Sequence, residues 1–194
     1  MIISVRKRFV FVHIPKTAGS SMFRALISCN DTPDTDENRH MEWTRILEEY
    51  SNLVSNQGEA VGDLENYFKF AFVRNPWDRV VSMYSYRVRN REIPADLSFP
   101  KFVFKRRNYP FGMHREQVKL IEDHHGKIAM DFIGKFENLK NDWAILQDRL
   151  KIGSDLSHLK ATVHRPYQTY YTRELIDEVA TMYPRDIQLF GYDF

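Results

Sequence analysis

Six consecutive residues near the N-terminus have the chemistry of an anion-binding loop. They combine one fixed cation, three hydroxyls and small side chains: Lys16, Thr17, Ala18, Gly19, Ser20 and Ser21. Small side chains let backbone N–H groups point at a ligand, and the N-terminus of a helix favours negative charge. The stretch therefore predicts a cradle for a phosphate or sulfate group. An ordinary strand-to-helix turn is the alternative, because such turns also carry Gly, Ser and Thr as caps.

The flanking sequence predicts a strand before this loop and a helix after it. Aromatic and β-branched residues dominate residues 9–14, which is typical of a buried strand, and Pro15 ends that strand. Gly19 permits a tight turn, and apolar residues follow at helical spacing over residues 20–28. The loop differs from the nucleotide-triphosphate motif GxxxxGKS/T, because here the lysine precedes the glycine. A kinase or GTPase of that type is therefore disfavoured.

A second anion site is predicted at the end of the next strand. The run YFKFAFV at residues 67–73 predicts a strand, and Asn75 and Pro76 mark the start of a helix. Arg74 thus leaves the end of a strand, and Ser82 lies about two turns into the helix. Ligands collect at the carboxyl ends of strands in open α/β sheets, so Arg74 and Ser82 are candidates for a second phosphate. A solvated arginine and an ordinary helix serine are the alternative.

The composition indicates one globular domain over residues 1–194. The chain has 43% hydrophobic and 28% charged residues, and its net charge of +2 gives no indication of nucleic-acid binding. No apolar run approaches the ~20 residues that cross a bilayer, so we expect a soluble, intracellular protein. Cys29 is the single cysteine, which excludes an intrachain disulfide and a CxxC site. His124 and His125 have no evident third ligand, so no metal site is expected.

Further elements follow from apolar spacing and turn residues. The sequence predicts helices over residues 40–50, from Ser98 through Arg107, and over residues 139–150 with an end near Gly153. It predicts a loop over residues 51–63 and a strand over residues 128–136. Thr172 can cap a helix that runs to about Tyr183, and Pro184 can open another short turn. The basic segment 87–119 fits either a rim for a negatively charged acceptor or a solvated helix face.

Four stretches of the sequence together resemble a known family. They are FVHIPKTAGSS at 11–21, FVRNPWDRVVSMYSY at 72–86, DFIGKFENLKNDW at 131–143 and the closing residues 170–194. The chain resembles the sulfotransferase superfamily, most closely its carbohydrate-type branch and small bacterial relatives. The resemblance implies a three-layer α/β/α P-loop-like fold with a central, mainly parallel sheet. It also implies 3′-phosphoadenosine 5′-phosphosulfate (PAPS) as the donor, with 3′,5′-diphosphoadenosine (PAP) as product and no metal.

The resemblance assigns roles to individual residues. The loop of residues 16–21 is similar to the family's 5′-phosphosulfate loop, and Lys16 is expected to neutralise the departing phosphate oxygen. Arg74 and Ser82 keep the family's eight-residue spacing for the 3′-phosphate. Arg165 and Tyr170 lie in the predicted loop over residues 154–171, and in relatives the corresponding loop closes over the nucleotide. The acceptor hydroxyl needs a base. The candidates in order of preference are His40, His13 and Glu42.

The expected reaction is in-line transfer of a sulfuryl group to an acceptor hydroxyl. The carbohydrate-like second half and the basic segment favour a glycan or glycolipid, while a small alcohol, a phenol and a peptide tyrosine remain open. A phosphotransferase or nucleotide hydrolase using the same loop is one alternative, and a non-catalytic nucleotide-binding module is another. Golgi relatives carry a membrane anchor that this sequence does not show, so the resemblance implies a cytoplasmic enzyme. The oligomeric state is not readable from these motifs.

Overall fold

The described residues divide into two units. The structure is a computed structural model, and it describes residues 1–32, 35, 39–56, 63–105, 115–153, 156 and 164–194, with only the backbone for residues 51–56 and 63. One unit contains Met1–Val73 and Gln117–Leu159, and the other contains Arg74–Glu116 and Lys160–Phe194. That residues 1–194 act as a single domain stays a prediction.

A four-stranded sheet organises the first unit. Its strands are β1 (Ile2–Ser4), β2 (Phe9–Val12), β3 (Phe68–Val73) and β4 (Phe132–Lys135), in the order β1-β2-β3-β4. The pairs β2–β3 and β3–β4 are parallel, and β1 runs antiparallel to β2. The carboxyl ends of the three parallel strands therefore lie at one edge of the sheet. The predicted α/β class with a mainly parallel sheet is confirmed.

Alternate residues of the strands build the core of this unit. Side chains two apart on a strand share a face, so Phe9 with Phe11, and Phe70 with Phe72, point to the same side of the sheet. Two helices cover that side, α1 (Gly19–Leu26) and α5 (Leu139–Leu150). They contribute these buried residues to the same cluster: Met22, Ala25, Leu26, Trp143, Leu146 and Leu150. The packed face holds β2 rigidly in front of the loop that leads into α1.

Two predicted boundaries of the first unit are wrong. Helix α2 (Trp43–Asn56) begins three residues after His40 and continues through residues 51–56, where a loop was expected. The apolar spacing of Ile46 and Tyr50 in fact extends to Leu53 and Val54, so the loop prediction gave too much weight to the polar residues between them. Strand β4 is also shorter than predicted, because Ile128 pairs with Glu122 in an isolated antiparallel bridge.

Helix α5 has the predicted bounds, but the residue that closes its last turn is not glycine. Its last turn is closed by Lys151, which adopts the left-handed conformation with φ 49°. The Lys151 N–H donates to the carbonyls of Gln147 and Asp148. This is the position that glycine usually fills, so Gly153 lies beyond the turn it was expected to make.

Helices make up the second unit. They are α3 (Pro76–Arg89), α4 (Phe99–Lys105), α6 (Arg173–Met182) and α7 (Pro184–Phe190). The Asn75 side chain caps α3 by accepting from the N–H groups of Trp77 and Asp78, and Thr172 caps α6 by accepting from the N–H of Leu175. The predicted starts of α3, α6 and α7 are confirmed. The predicted helix from Ser98 is confirmed as far as Lys105, since residues 106–114 lie outside the described residues.

Candidate active site

The predicted anion loop has an unusual backbone. Lys16 and Ala18 both adopt the left-handed conformation, with φ of 70° and 66°, and Thr17 between them does not. Left-handed residues next to residues of negative φ are typical of anion-binding nests, in which successive N–H groups turn toward one point. The conformation costs a non-glycine residue about 1–2 kcal/mol, so two such residues in three positions mark a strained loop.

The loop leads into a helix whose first turn is not capped by a side chain. Ala18 is the N-cap of α1 and makes no side-chain capping bond. The Thr17 hydroxyl is buried and donates to the Ile14 carbonyl at 2.9 Å, so it fixes the loop. Ser20 is exposed and Ser21 is buried. The N-terminal N–H groups of α1 and the half-buried Lys16 are thus the groups suited to an anion.

Gly19 is needed for a reason other than the predicted tight turn. Its φ is not positive, and it is the first residue of α1. A Cβ built on Gly19 would overlap the imidazole ring of His13, meeting its Cδ2, Nε2 and Cε1 atoms. The close approach of this ring, and not the backbone conformation, therefore excludes a side chain at position 19. The residues that make the turn are Lys16 and Ala18.

His13 and His40 form a contacting pair. The ring centroids are 4.3 Å apart at an interplanar angle of 53°, and Phe11 stacks on the His13 ring from the strand. His40 Nδ1 lies 3.0 Å from the His13 carbonyl oxygen. A carbonyl can only accept, so Nδ1 carries the hydrogen and Nε2 carries the lone pair of the neutral ring. The exposed His40 is thus held in one tautomer by the backbone of the residue that supports the anion loop.

The protonation of His13 is suppressed by its surroundings. Burial lowers the pKa of His13 well below 6.5, and the positive charges of His40, the N-terminal amino group, Arg39 and Lys16 lower it further. Its Nδ1 is buried and makes no hydrogen bond with the described residues. His13 is therefore a neutral, packed ring. The same charges make the neighbourhood of the loop positive.

In the second unit, Arg74 is held by a carboxylate. The Asp78 Oδ2 atom accepts from Arg74 Nε and lies 2.8 Å from both Nε and Nη2. The two side chains are only 7% and 15% exposed, so the pair is poorly screened by solvent. Asp78 also lies in the first turn of α3, where a negative charge is favourable.

A histidine from the late part of the chain reaches the same carboxylate. His164 Nε2 lies 3.7 Å from Asp78 Oδ1, and the His164 side chain is 12% exposed. His164 Nδ1 lies 2.8 Å from the carbonyl oxygen of Arg165. Asp78 is thus shared between an arginine and a histidine.

Comparison with known proteins decides the family. A profile of the sulfotransferase family matches residues 1–193. The chain belongs to the sulfotransferase family. An uncharacterized protein of Archaeoglobus fulgidus is 33% identical over 92 residues, which are 47% of this chain and 74% of that protein.

A solved structure confirms the fold of this sulfotransferase. The crystal structure of mouse sulfotransferase SULT7A1 complexed with PAP matches with a TM-score of 0.57 and 14% identity. The match covers 98% of this chain and 91% of the mouse protein. At this identity the likeness speaks for the fold alone, and it bears out the predicted P-loop-like class.

The predicted site residues of the sulfotransferase are divided between its two units. Lys16 and Gly19 share the first unit with His13 and His40, and Glu42 precedes α2 with its carbonyl accepting from the Ile46 N–H. In the second unit Ser82 is buried on α3. Arg165 is exposed, and its guanidinium lies 5.3 Å from the centre of the Tyr170 ring.

Sequence reasoning missed two residues that lie around Arg74, at the predicted second anion site. Asp78 follows Arg74 by four positions at a helix start, and this spacing is a signal that could have identified the ion pair. No local pattern indicates His164, because only the fold brings it to Asp78. Among the described residues no group of three metal-ligating side chains occurs, and no helix there is long and apolar enough to cross a membrane.

Proposed function

We propose that this sulfotransferase transfers a sulfuryl group from PAPS to an acceptor hydroxyl, with His40 as the base. The observation that carries the proposal is the placement of His13. Its ring packs against Gly19 at the start of α1, and its backbone carbonyl accepts from His40. One residue thus fixes both an anion loop and an imidazole in the same unit.

The residues present fit the two ends of the donor. The strained loop at residues 16–18 and the uncapped first turn of α1 suit the 5′-phosphosulfate. Arg74 and Ser82 suit the 3′-phosphate, and Arg165 and Tyr170 are assigned to further donor contacts. Arg74 directly follows β3 in the chain. The PAP bound to the mouse protein supports the choice of donor.

Bound PAPS supplies a sulfuryl group on a phosphate that can leave as part of PAP. Lys16 is assigned to the bridging oxygen of this phosphate, where negative charge grows during transfer. The backbone N–H groups of residues 17–20 are assigned to the same charge, whereas the Ser21 N–H donates to the Ala18 carbonyl at 2.9 Å. Lys16 is half-buried and lies in the loop three positions before the start of α1.

His40 is assigned to the acceptor proton. Because Nδ1–H is engaged by the His13 carbonyl, Nε2 is the atom that can accept a proton. A base requires the neutral imidazole, in which Nε2 carries the lone pair. His13 is a poorer candidate because it is buried, and Glu42 is retained as the third.

We assign the acceptor to the glycans and glycolipids, on the basis of the resemblance to the carbohydrate-type branch. The basic segment 87–119 is the proposed acceptor rim, and residues 106–114 of it lie outside the described residues. Small alcohols, phenols and tyrosyl peptides are the competing acceptor classes. A cytoplasmic location and independence of metal remain predictions.

The proposal is tested first by ligand binding and then by transfer. We expect PAP to raise the unfolding temperature of the protein and ATP with Mg²⁺ to have little effect. We then expect transfer from PAPS to at least one member of a panel of glycan, glycolipid, alcohol, phenol and peptide acceptors. Stabilisation by ATP alone would favour a phosphotransferase, and PAP binding without transfer would favour a binding module.

Two variants test the residue roles. Lys16→Ala is expected to lower kcat by about 10²- to 10³-fold, and His40→Ala by about 10²- to 10⁴-fold. Lys127→Ala and His125→Ala are matched controls, because both side chains are exposed and neither lies in the proposed site. Full activity of either test variant would remove the corresponding assignment.

A further inference from the structure

The Asp78 carboxylate lies between two basic side chains. Its Oδ2 atom is bound by Arg74 Nε and Nη2, both at 2.8 Å, and its Oδ1 atom faces His164 Nε2 at 3.7 Å. All three side chains are at least 85% buried. Charges in such a position act on each other more strongly than charges at the surface.

The hydrogen bond of His164 Nδ1 determines whether Nε2 presents a lone pair or a hydrogen to Asp78. His164 Nδ1 must donate to the Arg165 carbonyl, because a carbonyl oxygen only accepts. In the neutral ring, Nε2 would then present a lone pair to the Asp78 carboxylate, which is repulsive. In the protonated ring, Nε2 carries a hydrogen and the contact becomes an ion pair. The observed arrangement is therefore suited to the imidazolium form.

Protonation of His164 changes the charge that the Arg74 site offers to an anion. With a neutral His164, the charge of Arg74 is cancelled by that of Asp78, and the cluster has no net charge. With a protonated His164, the cluster carries one positive charge. In the first case Asp78 would repel a phosphate bound at Arg74. In the second case the positive charge of His164 would compensate for that repulsion.

We infer that His164 is a positioning residue for the donor's 3′-phosphate, acting through Asp78. When protonated, His164 forms an ion pair with Asp78, so that the positive charge of Arg74 can attract the phosphate. The inference rests on the proposed assignment of Arg74 to the 3′-phosphate. It makes donor binding depend on whether His164 carries a proton, with tighter binding when it does.

The other groups around His164 do not reproduce this pH dependence. Asp78 faces it from α3, with Arg74 beyond, and the Tyr170 ring lies 6.5 Å away in the turn Tyr167–Tyr170. Arg165 carries its fixed charge over that ring. Burial raises the pKa of nearby Tyr171, with smaller contributions from Tyr183, Asp78 and Tyr167, so Tyr171 stays neutral. Among these groups, His164 is the one that can add a positive charge beside Asp78 by taking up a proton.

The test measures PAP affinity by calorimetry at about pH 6 and about pH 8, for the wild type and for His164→Gln. Adenosine 5′-phosphate, which lacks the 3′-phosphate, is the control ligand. We expect the wild type to bind PAP about 5- to 10-fold more tightly than His164→Gln at the lower pH and almost equally at the higher pH. The variant should bind adenosine 5′-phosphate like the wild type at both values. Comparing variants at one pH cancels the titration of the phosphate itself.

Two further variants keep the test decisive. His164→Lys carries a fixed charge, so its PAP affinity at the higher pH should exceed that of the wild type. His125→Gln, an exposed histidine in the other unit, should behave like the wild type. A wild-type to His164→Gln ratio that is the same at both pH values, or an equal loss for both ligands, would overturn the role of His164 alone. No PAP binding by the wild type would overturn the donor assignment as well.

Discussion

Replacing Gly19 by alanine tests the contact on which the site depends. Gly19 is the first residue of α1, and its new Cβ would overlap the His13 ring. The ring cannot simply move aside, because Phe11 stacks on it and His40 contacts it. Both His13 and Gly19 are buried, so there is no solvent space into which the overlap can relax.

Two opposing effects set the size of the change. Alanine in place of glycine stabilises a helix interior by up to about 1 kcal/mol, and by less at the first position. Forcing an extra methyl group into a packed site typically costs about 1–3 kcal/mol. We therefore expect Gly19→Ala to lower the free energy of unfolding by about 1–2 kcal/mol. We expect kcat to fall as well, because the displaced ring supports both the loop and His40.

Urea denaturation with a double-mutant cycle measures the effect. In a His13→Ala background the ring is absent, so the same Gly19→Ala change should be neutral or slightly stabilising. The coupling energy between the two positions should then be about 1–3 kcal/mol. Gly153→Ala is the control, because a Cβ there has open space around it and the residue is exposed. It should change stability by less than about 0.5 kcal/mol.

The reasoning fails if the two substitutions prove additive. Additivity within about 0.5 kcal/mol would mean that the methyl group added at position 19 does not press on the His13 ring. A Gly19→Ala variant with wild-type stability and wild-type kcat would also show that the anion loop does not depend on His13.

Two more predictions concern Arg74 and His13. Arg74→Ala should weaken PAP binding by about 10- to 100-fold, which is the usual effect of losing a charged hydrogen-bonding group. The control Arg173→Ala, on the exposed surface of α6, should leave PAP binding unchanged. Calorimetric titration measures both affinities, and an undiminished affinity of Arg74→Ala would refute the assignment. The pKa of His13 is lowered in the folded state, so below pH 6.5 the unfolded chain binds more protons than the folded protein. The free energy of unfolding should therefore decrease as the pH falls below 6.5, by up to about 1.4 kcal/mol per pH unit. Urea unfolding at several pH values should show a shallower acid slope for His13→Phe, and an unchanged slope would contradict the buried, neutral imidazole.

The sequence predicted the parts of the fold that depend on local patterns. The strands at Phe9–Val12 and Phe68–Val73 and the helix at Leu139–Leu150 are confirmed, because apolar spacing and turn residues agree there. The pairing of Ile128 with Glu122 was not predictable, since an isolated bridge leaves no periodic signal. The same holds for the left-handed conformation of Lys16, which sequence reasoning would assign to glycine.

The candidate site also contains residues that local patterns could predict and contacts that they could not. Sequence reasoning could identify Lys16, Arg74 and His40, because each has an ionisable side chain near the end of a predicted strand or the start of a predicted helix. The contact between Gly19 and His13 and the link from Asp78 to His164 depend on tertiary packing. Sequence reasoning therefore found the charged groups but assigned Gly19 the wrong purpose and left out the carboxylate and the histidine that lie beside Arg74.

The strain in the anion loop itself indicates what the fold preserves. Glycine at positions 16 and 18 would remove the cost of two left-handed residues, yet the chain has lysine and alanine there. At position 16 glycine would also remove the cation, so the strain is the consequence of placing a positive charge inside the turn. At position 18 alanine leaves the first turn of α1 without a side-chain cap, whereas Ser, Thr, Asp or Asn would compete with a ligand for those N–H groups. Both residues are thus poor choices for stability and suitable ones for binding an anion, which is the pattern expected of a functional site.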